Sequence, residues 1–229
     1  EALGEYLNIS SGRCYHSFDR AVQVKEQSYS NRWPLVWTMD FNVNPMCSLI
    51  GQENNGKFHV LEEIVLLDSH TQAACKEFAE RARKYMGTAA LHIRIYGDAA
   101  GSQRSTQSAG KSDWAIVSDF FEGHPDFRVS FHKPKANPSI RDRLNAVNAL
   151  LLNAKDGVRL TVNSGCKELI KDLEQVSWKP DASGNMTGEI DKRIDPMRTH
   201  LSDALGYYVH KEFKLARRVG YSNDSPVAY

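Results

Sequence analysis

Hydrophobic and polar residues follow two different periods along the chain, and the changes between these periods mark the predicted elements. Short runs rich in β-branched and aromatic residues predict buried strands, and apolar residues spaced three and four apart predict amphipathic helices. The polar tetrad ENNG at 53–56 separates two strand-like runs, which is typical of a tight hairpin. The predicted strands are 35–41, 46–52, 57–67, 91–97, 127–131 and 158–162, and the predicted helices are 71–86, 113–121, 138–153, 166–176 and 196–218.

The order of these elements predicts the fold class. The first three strands follow one another as an antiparallel meander, and the later strands alternate with helices. We therefore expect an α/β fold, with a mixed sheet of antiparallel and parallel strands flanked by helices. The last helix is expected to begin with Asp195 as its N-cap and Pro196 in its first position. The polar segment 179–191 is expected to form a loop.

Length and composition favour one large globular domain. The chain has 229 residues, of which 41% are hydrophobic and 25% charged. We expect residues 1–32 to be a connector that packs onto the domain, 33–215 to be the domain, and 216–229 to be a tail. No apolar stretch approaches the roughly 20 residues needed to cross a bilayer. The first residues, EALGE, lack the basic and apolar regions of a signal peptide.

Cysteine usage and net charge exclude some classes of site. The four cysteines are widely spaced without a CxxC pair, so we expect free buried thiols in a reducing cytoplasm and neither a zinc site nor a redox motif. The net charge of +1 does not by itself predict nucleic-acid binding. A DNA-binding surface would have to be a local basic patch.

Three carboxylates carry the candidate chemistry. Asp40 and Asp98 each end an apolar strand, and small residues follow Asp98. Asp203 lies on the last helix, in one narrow sector with His200 and Tyr207 and beside the apolar stripe. Each acid alone could be a turn-capping or solvated residue. Together, two strand-end acids and one helical acid suit a site in which two metal ions cleave a phosphodiester.

Four segments carry a resemblance to a known family. They are WTMDFNVNP (37–45), YGDAAGSQRST (96–106), NPSIRDRLNAVN (137–148) and HLSDALGY (200–207). These segments resemble the C-terminal nuclease domain of the large terminase subunit of tailed bacteriophages, a branch of the RNase H-like nucleases. The likeness covers roughly residues 30–212.

The resemblance implies a metal-dependent DNA endonuclease that cuts concatemeric phage DNA during genome packaging. It implies that Asp40, Asp98 and Asp203 hold two Mg²⁺ or Mn²⁺ ions, with His200 as a further catalytic residue whose role varies within the family. It also implies double-stranded DNA, the small terminase subunit and the portal protein as partners, and the host cytoplasm as the location, with no membrane association. The packaging ATPase domain of the family would precede the part present in this chain.

Basic residues supply candidate DNA contacts. Lys133, Lys135, Arg141 and Arg143 cluster around the end of the fifth strand and the next helix, and Lys211, Lys214, Arg217 and Arg218 cluster near the C-terminus. A loop beside the site contributes Arg104 and Lys111. The AGKS sequence at 109–112 resembles the end of a phosphate-binding loop, but Ser105 stands where that motif needs glycine.

Two rival interpretations remain open at this stage. Another RNase H-like nuclease, such as a resolvase or an integrase, would share the three acids. A metal-free docking module that binds the phage portal would use the basic C-terminal stretch. DNA cleavage with Mg²⁺ or Mn²⁺ separates the second of these from a nuclease.

Overall fold

The computed structural model describes residues 12–42, 44–103, 110–155, 157–193, 195 and 197–213. A short helix precedes a run of three strands, after which helices and strands alternate except for one pair of consecutive strands near the end. The elements in chain order are α1 (Arg20–Gln23), β1 (Leu35–Asp40), β2 (Met46–Asn54), β3 (Lys57–Leu66), α2 (Thr71–Arg83), β4 (Leu91–Gly97), α3 (Asp113–Glu122), β5 (Phe127–Phe131), α4 (Ile140–Leu151), β6 (Leu160–Val162), α5 (Lys167–Gln175), β7 (Trp178–Pro180), β8 (Met186–Ile190) and α6 (His200–Glu212).

One mixed sheet forms the centre of the fold. Its strands lie in the order β5-β4-β1-β2-β3-β6. The predicted meander is confirmed, since β2 pairs antiparallel with both β1 and β3. β4 and β5 extend the sheet in parallel from β1, and β6 pairs in parallel with β3. The predicted α/β class and mixed sheet are therefore confirmed.

Helices cover both faces of the sheet. All residues of β1 are therefore buried, which agrees with its largely apolar sequence. On one face, Trp37 packs against α2, with its ring stacked 4.2 Å from that of Phe78. On the other face, Val36 belongs to a second core with residues of α4, α5 and α6. This second face also buries Cys14, Tyr15 and Phe18, from the segment before the sheet. All four cysteines are buried and free.

The segment predicted as a loop at 179–191 is a hairpin, so that prediction was wrong. β7 and β8 pair antiparallel as a separate two-stranded sheet. The backbone amides of Ser183 and Asn185 donate to the Asp181 carboxylate in the turn. The short strands contain Pro180 and Gly188, which weaken the usual strand signal.

The last helix begins at His200, and the predicted start at Asp195 and Pro196 was wrong. Asp195 instead accepts a hydrogen bond from the Met197 amide and pairs with Arg198. The N-cap of α6 is Thr199, in a left-handed conformation at φ +88° and without a side-chain capping bond. The predicted continuation to residue 218 lies outside the described residues.

A carboxylate from another helix caps α6. Asp172 in α5 accepts a hydrogen bond from the Ser202 amide at 3.1 Å, and it pairs with Arg198 at 3.2 Å. Asp172 is 1% exposed, so the contact is sheltered from water. The cap satisfies a first-turn amide that the local sequence leaves unpaired. It therefore fixes the N-terminus of the helix that carries His200 and Asp203.

The buried cap gives the stability of the fold a pH dependence. Burial raises the pKa of Asp172 from 3.8 to about 6, against the opposing effects of the Ser202 amide and Arg198. An acid with a raised folded pKa contributes stability that is complete below about pH 4 and is lost as the pH rises through about 6. For Asp172→Asn, we expect the stability advantage of the wild type over the variant to fall by about 3 kcal/mol between pH 4 and 7. Urea unfolding at several pH values measures this difference, and parallel curves for the two proteins would contradict it.

Candidate active site

Asp40 and Asp98 lie at the same edge of the sheet because they end adjacent parallel strands. The register of β1 and β4 places Met39 opposite Gly97. The two acids follow directly, on strands spaced about 4.8 Å apart. Asp40 is 4% exposed and Asp98 is 7% exposed. Buried carboxylates so close together need a cationic partner.

Helix α6 brings Asp203 to this edge. The Thr38 hydroxyl in β1 donates to the Ala204 carbonyl oxygen at 2.6 Å, which fixes the helix across the strand that leads to Asp40. Burial raises the pKa of Asp203, and repulsion from the Asp40 carboxylate adds to this effect. Asp40 also acts on Asp98 in the same direction. The structure thus brings together the three acids singled out in the sequence.

His200, at the start of α6, contacts Asp40 on β1. Its Nδ1 atom lies 2.9 Å from Asp40 Oδ2. Asn42 donates its side-chain amide to the same carboxylate oxygen and lies 3.1 Å from His200 Nδ1. These two side chains, one from α6 and one from the segment after β1, therefore orient the Asp40 carboxylate. The pattern in α6 alone indicated the sector of His200 but not its partner on β1.

The loop after β4 holds Asp98 by hydrogen bonds from its own backbone and from neighbours. The Gly101 amide donates to Asp98 Oδ1 at 3.0 Å, and the Trp114 indole donates to the Asp98 carbonyl oxygen at 3.1 Å. The Ala99 amide donates to the Asn137 side chain at 2.7 Å. Asn137, from one of the segments that carry the family resemblance, thereby supports the turn that presents Asp98.

The Phe41 ring explains why glycine stands at the end of β4 and in the loop that follows it. Its ring packs against Trp114 at 5.2 Å between centroids. A Cβ atom added to Gly101 would lie 2.4 Å from the Phe41 ring, and one added to Gly97 would lie 2.8 Å from it. The chain on both sides of Asp98 therefore needs residues without a side chain.

Arg143 in α4 is a cation inside the site. The sequence did not predict this position. Its Nη1 atom lies 3.1 Å from Asp203 Oδ1. Its charge also lowers the pKa of Asp98, against the larger effect of burial. Arg143 is only 8% exposed, whereas the basic cluster in the sequence suggested a solvated DNA contact. The helical period could have indicated this, because Arg143 is adjacent to Leu144 and four residues before Val147, both buried.

The donor set fits a hard divalent cation. Carboxylate oxygens are the ligands that Mg²⁺ and Mn²⁺ favour. Burial raises the pKa of Asp98 to about 6, and repulsion from Asp40 and Asp113 adds to it, so the site carries negative charge that a cation would relieve. Among the described residues, no three acidic, histidine or cysteine side chains are already arranged as a ligand set. Arg143 forms an ion pair with Asp203 in this state.

A cleft of about 430 Å³ is lined by residues of β4, which precedes Asp98, and of α6, which carries Asp203. Gly97, which precedes Asp98, and Tyr207, on the same helix as Asp203, are among its lining residues. We call it the basic cleft after its lining lysines and histidines: Lys133, Lys135, Lys211, His132 and His210. Three of the predicted DNA contacts, Lys133, Lys135 and Lys211, thus line this cleft.

The other predicted DNA contacts do not line the basic cleft or lie outside the described residues. Arg141 is exposed at the start of α4 and does not line the basic cleft. Lys111 forms an ion pair with Asp119 at 2.5 Å, next to Ser112, which caps α3. Arg104, Lys214, Arg217 and Arg218 lie outside the described residues.

Solved structures of phage large terminases share this architecture. A large terminase from a thermophilic bacteriophage, solved in complex with ADP, matches 89% of this chain with a TM-score of 0.60 and 17% identity. The nuclease domain of the P22 large terminase matches 90% of this chain, and 95% of that domain is covered, with a TM-score of 0.59 and 14% identity. The chain has the fold of the large-terminase nuclease domains.

This fold also recurs in a metal-bound structure. The large terminase nuclease of the thermophilic phage G20c, solved with bound magnesium, has a TM-score of 0.51 and 10% identity over 86% of this chain and 95% of that one. The present chain spans about half of the ADP-bound terminase, 46% of its length. No protein-family model and no curated protein matches the sequence. Within the part of the chain that the structure describes, no helix has the length and apolar character of a membrane span.

Proposed function

We propose that this chain is a divalent-metal-dependent DNA endonuclease that cuts phage DNA during genome packaging. The observation that carries the proposal is the convergence of Asp40, Asp98 and Asp203 at one edge of a sheet that has the large-terminase nuclease fold. The G20c nuclease of the same fold was solved with magnesium, which supports a divalent cation here.

The three acids would hold two Mg²⁺ or Mn²⁺ ions. When bound, such ions lower the pKa of a water that attacks the phosphorus, and they stabilise the leaving 3′-oxygen. The protein supplies the placement of the ligands. Asp40 is fixed by His200 and Asn42, Asp98 by the Gly101 amide, and Asp203 by the helix that Thr38 and Asp172 anchor. Partners that orient ligands in this way typically contribute 10–100-fold to metal affinity or activity.

The basic cleft would bind the DNA backbone beside the cut. Its cationic side chains are positioned to contact phosphates without reading bases. Lys133 also lies over the Trp114 ring at 5.7 Å, close to the loop that holds Asp98. The cleft would therefore bind the DNA backbone on a surface next to the loop that holds Asp98.

Removing two lysines of the cleft tests this role. Lys133→Ala with Lys135→Ala is expected to weaken duplex binding, and to reduce the salt slope of log K by about two, since each phosphate contact contributes ~0.9. The matched control, Lys57→Ala with Lys76→Ala, removes two exposed lysines away from the acids and should leave the slope unchanged. Fluorescence anisotropy with a short duplex at several salt concentrations measures both. Equal slopes in the two double variants would remove the cleft from the proposal.

The fold shared with phage large terminases supports a role of this chain in genome packaging. The chain covers 95% of the P22 nuclease domain but only 46% of the ADP-bound phage terminase, which supports a nuclease portion of a longer terminase. We propose that it acts on concatemeric double-stranded DNA, with the small terminase subunit and the portal protein as its partners.

A plasmid assay tests the activity itself. Purified protein at high concentration is incubated with supercoiled plasmid in Mg²⁺, in Mn²⁺ and in EDTA. We expect nicked and linear DNA with either metal and intact plasmid in EDTA. Intact plasmid in all three conditions would contradict the nuclease and favour a docking module.

A further inference from the structure

Arg143 has a buried charge that its surroundings only partly satisfy. The residue is 8% exposed. Its contact with Asp203 is close enough for an ion pair, at 3.1 Å, but it lacks hydrogen-bond geometry. Both Nε and Nη1 are buried without a hydrogen-bond partner among the described residues. Because a buried guanidinium normally donates its N–H groups, these free donors call for a ligand.

The arginine packs against the helix that carries Asp203. Its guanidinium carbon lies 4.5 Å from the centre of the Tyr207 ring. Its aliphatic stem passes over Gly206, where an added Cβ atom would lie 3.2 Å from Arg143 Cβ. Gly206 and Tyr207 both belong to α6, the helix that carries Asp203. Helix α6 therefore carries the acid and the two residues that pack against Arg143.

Arg143 contacts both the acid cluster and a residue that lines the basic cleft. Asp203 lies on one side, and the charge of Arg143 also reaches Asp98 at the end of β4. Tyr207, on which it stacks, lines the basic cleft. Arg143 thus stands where the acid cluster meets the surface proposed to bind the DNA backbone.

A purely structural ion pair is a weaker explanation of these contacts. A buried pair that only joins two helices is stabilising when its donors are satisfied, and it is costly when they are not. Here two of the nitrogens lack acceptors among the described residues, in a site where a phosphate would bring oxygens. The planar fork of arginine matches a phosphate group, to which it donates two parallel hydrogen bonds.

We propose that Arg143 binds the phosphate group at the cleavage site, and that Asp203 holds it in place until DNA arrives. This inference rests on the proposed function, because it assigns the residue a contact with the DNA substrate. The side chain is then a catalytic residue that touches the scissile phosphate and stabilises its developing charge. The phosphate would supply the arginine with new acceptors, and Asp203 would then be free of its ion pair with Arg143 and able to hold a metal ion.

Duplex binding in EDTA tests this contact without any cleavage. Asp203→Asn removes the charge that holds Arg143, and it serves as the background for the comparison. In this background, Arg143→Gln is expected to weaken binding of a short DNA duplex about tenfold, which is the loss of one charge-assisted contact. The control is Arg83→Gln, an exposed arginine on α2 at the opposite face of the sheet, which should leave the affinity unchanged.

A second variant covers the case in which the glutamine variant does not fold. Arg143→Lys in the same background keeps the charge but loses the fork, and it is expected to weaken binding about threefold. In the otherwise native protein, Arg143→Lys should fold with an unchanged circular dichroism spectrum and lower the cleavage rate with Mg²⁺ at least ~10-fold.

The outcomes separate this inference from the proposed function. If Asp203→Asn binds DNA and the Arg143 variants bind equally well, the ion pair is structural and the inference is wrong. If the native protein neither binds nor cuts DNA, the proposed function itself fails, and the inference fails with it.

Discussion

Asparagine in place of Asp98 is expected to lower the rate of DNA cleavage at least ~10³-fold. Mutation of a residue that only orients a metal ligand already lowers metal affinity or activity about 10–100-fold, and loss of a ligand should have a larger effect. The substitution keeps the shape of the side chain and the acceptor for the Gly101 amide, but it removes the charge that a cation needs. The loop should therefore remain folded while the site loses a ligand. Plasmid relaxation with Mg²⁺, together with the melting temperature in EDTA, measures both effects.

The control for Asp98→Asn is Asp126→Asn, which removes an exposed acid in the turn before β5. This variant should cut plasmid at the native rate. In EDTA, Asp98→Asn should melt no lower than the native protein, because it removes a buried charge from a cluster of like charges. Cleavage by Asp98→Asn at the rate of the control would contradict the assignment of this acid.

Gly101→Ala is expected to lower cleavage about 10²-fold, the size of loss that a misplacement of about 1 Å produces in a catalytic group. The new Cβ atom would lie 2.4 Å from the Phe41 ring, so either the ring or the loop must move. The Gly101 amide holds Asp98, and a shift of the loop therefore displaces the carboxylate. Cleavage rates and melting temperatures of the variant measure the effect.

Two further variants identify the cause of this loss. Gly165→Ala adds the same methyl group at a position with open space around it, and it should leave cleavage unchanged. Adding Phe41→Ala to Gly101→Ala removes the obstructing ring, so the double variant should cut faster than Gly101→Ala alone. Simple additivity of the two losses would show that the clash is not the cause.

The local pattern of the sequence predicted the sheet and the two strand-end acids. β1 and β4 are short, largely apolar runs, which is a strong strand signal, and each ends at or just before an aspartate. The parallel pairing of these strands then places Asp40 and Asp98 together without any further information. The helical sector of Asp203 was equally visible, because it depends only on the period of the helix.

The start of α6 could not be predicted locally because a distant residue determines it. Asp195 and Pro196 form a favourable helix start in the sequence, yet the helix begins at His200. Asp172, from another helix, caps the Ser202 amide, and the N-cap residue Thr199 is left-handed. A contact between positions 30 residues apart leaves no signal in the pattern around either one. The same limit concealed the contact between His200 and Asp40, which joins residues 160 positions apart.

The role of Arg143 depends on three elements that meet only in the folded chain. In the sequence it belongs to a cluster of cations, and such clusters are usually solvated. In the structure, Gly206 and Tyr207 of α6 confine its side chain against Asp203. The packing of α4 against α6 converts an apparent surface charge into part of the site.

Anomalous diffraction from crystals grown with Mn²⁺ tests the proposed metal site, because it locates the cation among the side chains. We expect anomalous peaks within coordinating distance of Asp40, Asp98 and Asp203, and no such peaks at the same place in crystals of Asp98→Asn. Manganese bound only elsewhere on the protein, or absent from this edge of the sheet at concentrations that support cleavage, would contradict it.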